Sequence, residues 1–193
     1  MPKIDSEKFY TSAIEKFGTT ARGVNWASKQ NQQIRFLEIL KLLPQDLSNY
    51  TLVDAGCGFG DFYKFLEKKK RLPKSYIGID SVTDMCSIAS NSTAQEILNL
   101  DIVKEKLPVA DFYVCSGAVN VLTPFETHLF LKNCYSSTRI AFIFNALHGE
   151  KESETYNYLT TNKIESIADT LQVQECILRD AYLENDITVR FRR

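Results

Sequence analysis

Residues Leu52-Val53-Asp54-Ala55-Gly56-Cys57-Gly58-Phe59-Gly60 join a short apolar run to an acid and then to glycine at every second position. Glycine has no Cβ, so such a backbone turns sharply and a ligand can lie directly on the main chain. An acid just ahead of the glycines calls for a ligand with a cationic or hydrogen-donating end. Spacing separates this loop from two phosphate-binding loops. The dinucleotide fingerprint G-x-G-x-x-G is missed by one residue. A Walker loop would end in G-K-[ST], where this chain has Gly60-Asp61-Phe62. Asp61, in the first turn of the expected helix, would also repel a phosphate.

Two further acids fall at strand-like ends. Tyr76-Ile77-Gly78-Ile79-Asp80 reads as a buried strand closed by a carboxylate. Its distance from the glycines, about twenty residues, suits a carboxylate that takes both ribose hydroxyls of a nucleoside. Ser81 follows at the same rim. Ile97-Leu98-Asn99-Leu100-Asp101-Ile102 reads as a third strand or its exit. There Asp101 can accept from an adenine amino group while the backbone N–H of Ile102 serves a ring nitrogen. Three such acids make a nucleoside-sized site with a cationic end. S-adenosylmethionine (SAM), which has an ammonium and a sulfonium but no phosphate, fits it.

With these residues in view, the chain resembles the class I SAM-dependent methyltransferases. Asp54-Ala55-Gly56-Cys57-Gly58-Phe59-Gly60 matches their first motif, and Asp80 and Asp101 fall where that family places its ribose and adenine acids. The resemblance runs from about Thr51 to the C-terminus. It implies that Gly56, Gly58 and Gly60 approach the methionine part of the cofactor and that Asp54 orients it, directly or through an amide or water. It implies SAM as cofactor and methyl transfer as the activity. The preface and Asn185-Asp186-Ile187-Thr188 are similar to small bacterial members whose substrates are unassigned.

The methyl acceptor is expected on the same rim. Ser116-Gly117-Ala118-Val119-Asn120 follows a strand and should form one wall, with Ser116 against the cofactor. Members that methylate nucleic-acid amino groups often carry N-P-P-Y or D-P-P-Y there, and this chain does not. That points to a small-molecule acceptor. Asn120, Asn145 and His148 are the candidate catalytic residues. The polar segment 148–158 is either a lid or a solvated loop. Methyl transfer from a sulfonium needs mainly alignment, and a base only where the nucleophile carries a proton it must lose. A SAM-binding sensor or partner subunit without catalysis is the alternative.

Other conspicuous residues divide between chemistry and packing. Cys57 is either a nucleophile or a small filler beneath the glycine turn. Trp26 either covers the cofactor or packs the N-terminal helix onto the sheet. Arg22 either meets the cofactor carboxylate or forms a surface ion pair. Lys68-Lys69-Lys70-Arg71 reads as a solvated helix end.

Composition sets the outer limits. The chain has 193 residues, a net charge of −1 and five dispersed cysteines without a C-x-x-C pair. Such a charge gives no global attraction to nucleic acid or anionic membrane. With two histidines, no metal site is expected. Dispersed thiols suit a reducing interior, the cytoplasm. No stretch has the length of a membrane span.

The elements that must hold the site follow from periodicity. Helices are expected over 6–17, 28–43, 61–70, 82–90, from the Thr123-Pro124-Phe125-Glu126 capping box toward 135, and after an Asn162/Glu165 cap. Strands are expected near 51–54, 76–80, 97–102, 111–116, 140–145, 173–178 and 187–191. Alternating strands and helices imply an α/β doubly wound, mostly parallel seven-stranded sheet, a Rossmann-like fold. The last two strands lack an intervening helix and should pair antiparallel. One domain, 1–193, is expected, with 1–45 a helical preface over the cofactor site.

Overall fold

The computed structural model describes residues 28–193, with Thr11, Ser12, Lys16 and Gly18 ahead of them. Trp26, Arg22 and most of the helix expected over 6–17 lie outside the described residues.

The continuous described stretch begins with Ser28, whose side chain accepts from the Asn31 N–H at 3.1 Å and caps helix α1, Lys29–Leu42. Its i, i+3, i+4 stripe buries Phe36, Ile39 and Leu40. Pro44 follows because proline cannot continue the ladder. Thereafter strands and helices alternate: β1 Thr51–Ala55, α2 Asp61–Lys68, β2 Ser75–Asp80, α3 Thr83–Thr93, β3 Glu96–Asn99 and β4 Ala110–Ser116. A single 3-10 turn, Ala118–Val121, precedes α4, Pro124–Ser136. The chain closes with β5 Thr138–His148, β6 Tyr158–Leu159, α5 Thr161–Thr170, β7 Glu175–Arg179 and β8 Asp186–Arg192.

The strands form a sheet of order β3-β2-β1-β4-β5-β8-β7. Pairing is parallel from β3 through β5, and β8 runs antiparallel to both β5 and β7. The antiparallel ending follows from the tight connection between β7 and β8, which is too short for a crossover. Short β6 pairs parallel with the end of β5, so among the described residues the sheet has eight strands where periodicity gave seven. Two residues carry too little pattern to be read as a strand.

Side chains alternate across the sheet into two cores. Val53, Phe142, Phe144 and Phe191 pack on one face with Phe130 and Leu131 of α4 and Ile164 of α5. Leu52, Phe112, Val114 and Ile143 pack on the other with Phe36 and Ile39 of α1 and Phe62 and Leu66 of α2. Each fully buried aromatic or aliphatic side chain contributes about 1.5–3 kcal/mol.

Two boundaries differ from the sequence reading. β5 continues past Asn145 to His148, because β8 and then β6 pair along its whole exit. The cap of α5 is Thr160, whose hydroxyl accepts from the Lys163 N–H at 3.3 Å, rather than Asn162. The Thr123 capping box is present as expected, with Pro124 in the first turn.

Strand order reverses between β1 and β4: β2 and β3 lie to one side, β4 and β5 to the other. In open α/β sheets the ligand crevice lies beyond the strand ends at that reversal.

Candidate functional site

A cavity of about 1090 Å³ opens at this reversal, and its walls come from the ends of β1, β2, β3 and β4. Its floor is the glycine turn. Gly56, Gly58 and Gly60 adopt φ of 77°, 54° and 76°, the left-handed region that glycine enters without penalty. The turn is pinned to β2: the N–H groups of Gly56 and Cys57 donate to the Ile79 carbonyl at 2.8 and 3.0 Å. A Cβ on Gly56 would lie 2.4 Å from the Ala118 Cβ, and one on Gly60 2.6 Å from the Thr93 Cγ2. Gly56 thus lets the turn close against the wall that follows β4, and Gly60 lets α2 start against α3. A Gly56→Ala substitution is expected to lower stability by about 1–3 kcal/mol, the cost of a strained backbone position. Urea unfolding checks this, and an unshifted midpoint would contradict the close contact.

Asp54 and Asp80 stand on either side of this floor. Asp54, the fourth residue of β1, is buried and accepts from the Tyr76 hydroxyl at 2.6 Å. Burial is the main force on its carboxyl and, with Asp80 nearby, pushes its pKa up to about 7. Asp80 ends β2. It accepts from the Gly58 N–H at 2.9 Å and the Val82 N–H at 3.0 Å. Burial also raises its pKa, against those backbone donors. Among the described residues neither carboxylate has an ion-pair partner. Both line the cavity, so two buried acids border one open volume.

The remaining walls come from several expected residues. Ser81 lies at the rim beside Asp80. Asp101 lines the β3 end, where it accepts from the Val103 N–H at 3.0 Å and pairs with Lys104 at 2.5 Å. Ile102 beside it is buried, with its carbonyl held by Asn133 of α4 at 2.8 Å. Ser116 and Asn120 line the β4 wall. Asn120 is buried and accepts from the Leu147 N–H at 2.9 Å.

Three expected residues lie outside the lining. Gly60 sits behind the floor as the cap of α2. Asn145 is fully buried, and both ends of its amide are used inside the protein: Oδ1 accepts from Ser116 Oγ at 2.9 Å and Nδ2 donates to Thr188 Oγ1 at 2.6 Å. His148 lies at the far end of β5 with Nε2 3.2 Å from Thr161 Oγ1. The longer β5 is the reason: it carries Asn145 into the core and His148 past the rim. Asn145→Ala is therefore expected to act through stability. It removes one buried and one partly buried hydrogen bond, about 1–3 kcal/mol, and thermal denaturation would show it. An unchanged melting temperature would argue against the core role.

Cys57 resolves toward packing. A Cβ on Gly78 would meet its sulfur at 2.9 Å, and burial holds its thiol well above the ordinary pKa. It fills the space between the turn and β2 while its edge borders the cavity.

Several lining residues were not singled out from sequence as site residues. Gln32, Arg35 and Phe36 of α1 overhang the floor. Gln32 donates to Asp61 at 3.1 Å, and Arg35 is ion-paired with buried Asp186. Their i, i+3, i+4 spacing was visible, but it reads equally as core. Val121, Leu122, Phe125 and Tyr156 give the cavity an apolar side, and Phe125 is 71% exposed. The segment leading to β6 is anchored where Asn157 donates from its backbone to the Asn120 carbonyl at 2.7 Å and from its side chain to Thr127 at 3.0 Å.

No protein-family model matches the chain, and no curated protein matches it in sequence. Solved structures match its fold. DhpI in complex with SAM and HEP superimposes with a TM-score of 0.75 at 11% identity, over 96% of this chain and 95% of that one. A SAM-dependent methyltransferase of Leishmania major gives 0.71 at 15% identity, over 96% and 83%. Magnesium protoporphyrin IX methyltransferase of Synechocystis PCC 6803, with bound SAH, gives 0.69 at 13% identity, over 84% and 83%. The fold is therefore the Rossmann-like fold of SAM-dependent methyltransferases.

Proposed function

We propose that this protein transfers the methyl group of SAM to a small-molecule acceptor. One observation carries the reading: two buried carboxylates, Asp54 and Asp80, face one cavity across a floor of bare backbone and have no cation against them among the described residues. Burying a charge without a partner is costly. A ligand that brings a cation to Asp54 and hydroxyls to Asp80 offsets that cost. The fold shared with SAM-bound structures supports the same ligand.

The residues fit SAM in order along the cavity. Gly56 and Gly58 admit the methionine portion close to the backbone. Asp54 orients its ammonium. Asp80, already held by two backbone donors, keeps lone pairs for ribose hydroxyls. Asp101 and the Ile102 amide serve the adenine edge. When bound, SAM supplies a methyl group already activated on a sulfonium. The protein's part is then to align the nucleophile, an effect that can amount to about 7–11 kcal/mol. Asn120 on the β4 wall is the remaining candidate for that task. The apolar side formed by Val121, Leu122, Phe125 and Tyr156 supports an acceptor with an apolar body. A bacterial origin and a cytoplasmic setting, with all five cysteines as free thiols, belong to this reading.

A thermal-shift comparison tests it. SAM and its demethylated product should raise the melting temperature, and NAD should not. At a hundredfold excess over Kd the stabilisation is about 2.7 kcal/mol. Stabilisation by NAD alone would overturn the proposal. Formation of the demethylated product across a metabolite panel separates the transferase from a SAM sensor. A sensor would bind without turnover.

A further inference from the structure

A series of hydrogen bonds runs from the cavity wall, across β5 and β8, to the ion pair under α1. Ser116 Oγ lies 2.9 Å from Asn145 Oδ1, and Asn145 Nδ2 lies 2.6 Å from Thr188 Oγ1. Thr188 Oγ1 lies 2.9 Å from the Tyr182 hydroxyl, which lies 3.3 Å from Asp186 Oδ1. Asp186 Oδ2 accepts from Arg35 Nε at 2.7 Å. Asn145 and Thr188 are completely buried.

The charged end fixes the direction of every proton. Arg35 only donates, and the Asp186 carboxylate only accepts. Tyr182 has one hydroxyl proton, and the carboxylate requires it. Burial, and then the neighbouring carboxylate, push the Tyr182 phenol well above its ordinary pKa, so it remains a donor. The contact between Tyr182 and Thr188 must then use the Thr188 proton. With that proton spent, the contact between Thr188 and Asn145 must use the amide NH2. The Asn145 oxygen is left facing Ser116 and takes the Ser116 proton. Reversing any one bond would set two lone pairs or two protons against each other. The Ser116 hydroxyl therefore shows the cavity lone pairs alone.

We propose that Asn145, Thr188 and Tyr182 are positioning residues that lock the Ser116 hydroxyl as an acceptor in the β4 wall, matched to the ammonium of the bound cofactor. This rests on the SAM reading above. It adds a second oxygen, beside Asp54, for a group that carries several N–H donors. It also assigns a function to residues that do not line the cavity.

Calorimetric titration of SAM into the wild type, Ser116→Ala, Tyr182→Phe and the double variant tests it. Each single substitution should weaken binding roughly tenfold, as for one hydrogen bond to a charged group. The double variant should bind no more weakly than Ser116→Ala. Without the hydroxyl, the direction of the chain has nothing to act on, so the two losses must not add. Thr188→Ser, which keeps the hydroxyl, should bind like wild type. A deaminated analogue of the demethylated cofactor should bind wild type and Ser116→Ala equally. Ser116→Ala binding SAM as well as wild type, additive losses in the double variant, or an analogue penalised like SAM would each overturn the proposal. A wild type that binds no SAM would overturn the parent reading with it, whereas the other outcomes leave that reading standing.

Discussion

Replacing Asp54 with asparagine is expected to stabilise the free protein while weakening SAM binding by about ten- to a hundredfold. The loss follows from removing a charged hydrogen-bond partner, about 1.5–3 kcal/mol. The stabilisation follows from linkage. The folded-state pKa is about 7 against an ordinary 3.8, so the folded protein holds this proton more tightly than the unfolded chain. Its contribution is complete below the unfolded pKa and is lost as pH rises through the folded one. The interval corresponds to about 4 kcal/mol by pH 8. Asparagine keeps an oxygen for the Tyr76 hydroxyl and carries no charge, so it escapes this loss. Melting temperatures of the free proteins should differ most at pH 8 and converge toward pH 4. The same proton links binding to pH. A bound ammonium lowers the Asp54 pKa, so wild-type affinity should fall by up to about tenfold per unit as pH drops below 7. In Asp54→Asn that slope should disappear. Equal melting temperatures at pH 8, or a pH slope that survives the substitution, would contradict the assigned role.

The second large effect is expected at Arg35. The Arg35–Asp186 pair ties α1 to β8, with Asp186 4% exposed. Arg35→Ala leaves that carboxylate buried without its cation, which typically costs about 3–5 kcal/mol. For a chain of this size the melting temperature should drop on the order of 10 °C. Adding Asp186→Ala should restore part of the loss, because the uncompensated charge goes with it. A drop corresponding to less than about 1 kcal/mol, or a double variant no better than the single, would show that the pair is not what holds the helix down. By contrast, the exposed Lys104–Asp101 pair should contribute little when Lys104 is replaced, as surface ion pairs do.

The floor of the site was legible because its physics is local. A glycine at every second position, an acid before it and acids at successive strand ends follow from what one turn and two strand termini need. They do not depend on the rest of the chain. The place of Asn120 on the cavity wall was legible for the same reason, since it follows a strand end. Asn145 and His148 were misplaced relative to the cavity because the length of β5 is set by partners far away in sequence, β8 and β6. Nothing in residues 140–148 announces where pairing stops. A helical preface over the site was expected, but which α1 side chains reach the cavity was not legible. Gln32, Arg35 and Phe36 share a stripe with core residues, and only the tertiary arrangement sets part of that stripe over the cavity. The proton-ordered chain from Ser116 to Arg35 draws on β4, β5, β8, the turn before β8 and α1. No sequence window contains it.

Calorimetric titration of SAM into the purified protein and into Asp80→Ala decides whether the cavity seats this cofactor. Saturable binding by the wild type is expected, with at least a tenfold loss in the variant, whose floor lacks both the anchor for the Gly58 N–H and the oxygens for the ribose. Absence of heat from the wild type, or equal affinity in the two proteins, would contradict it.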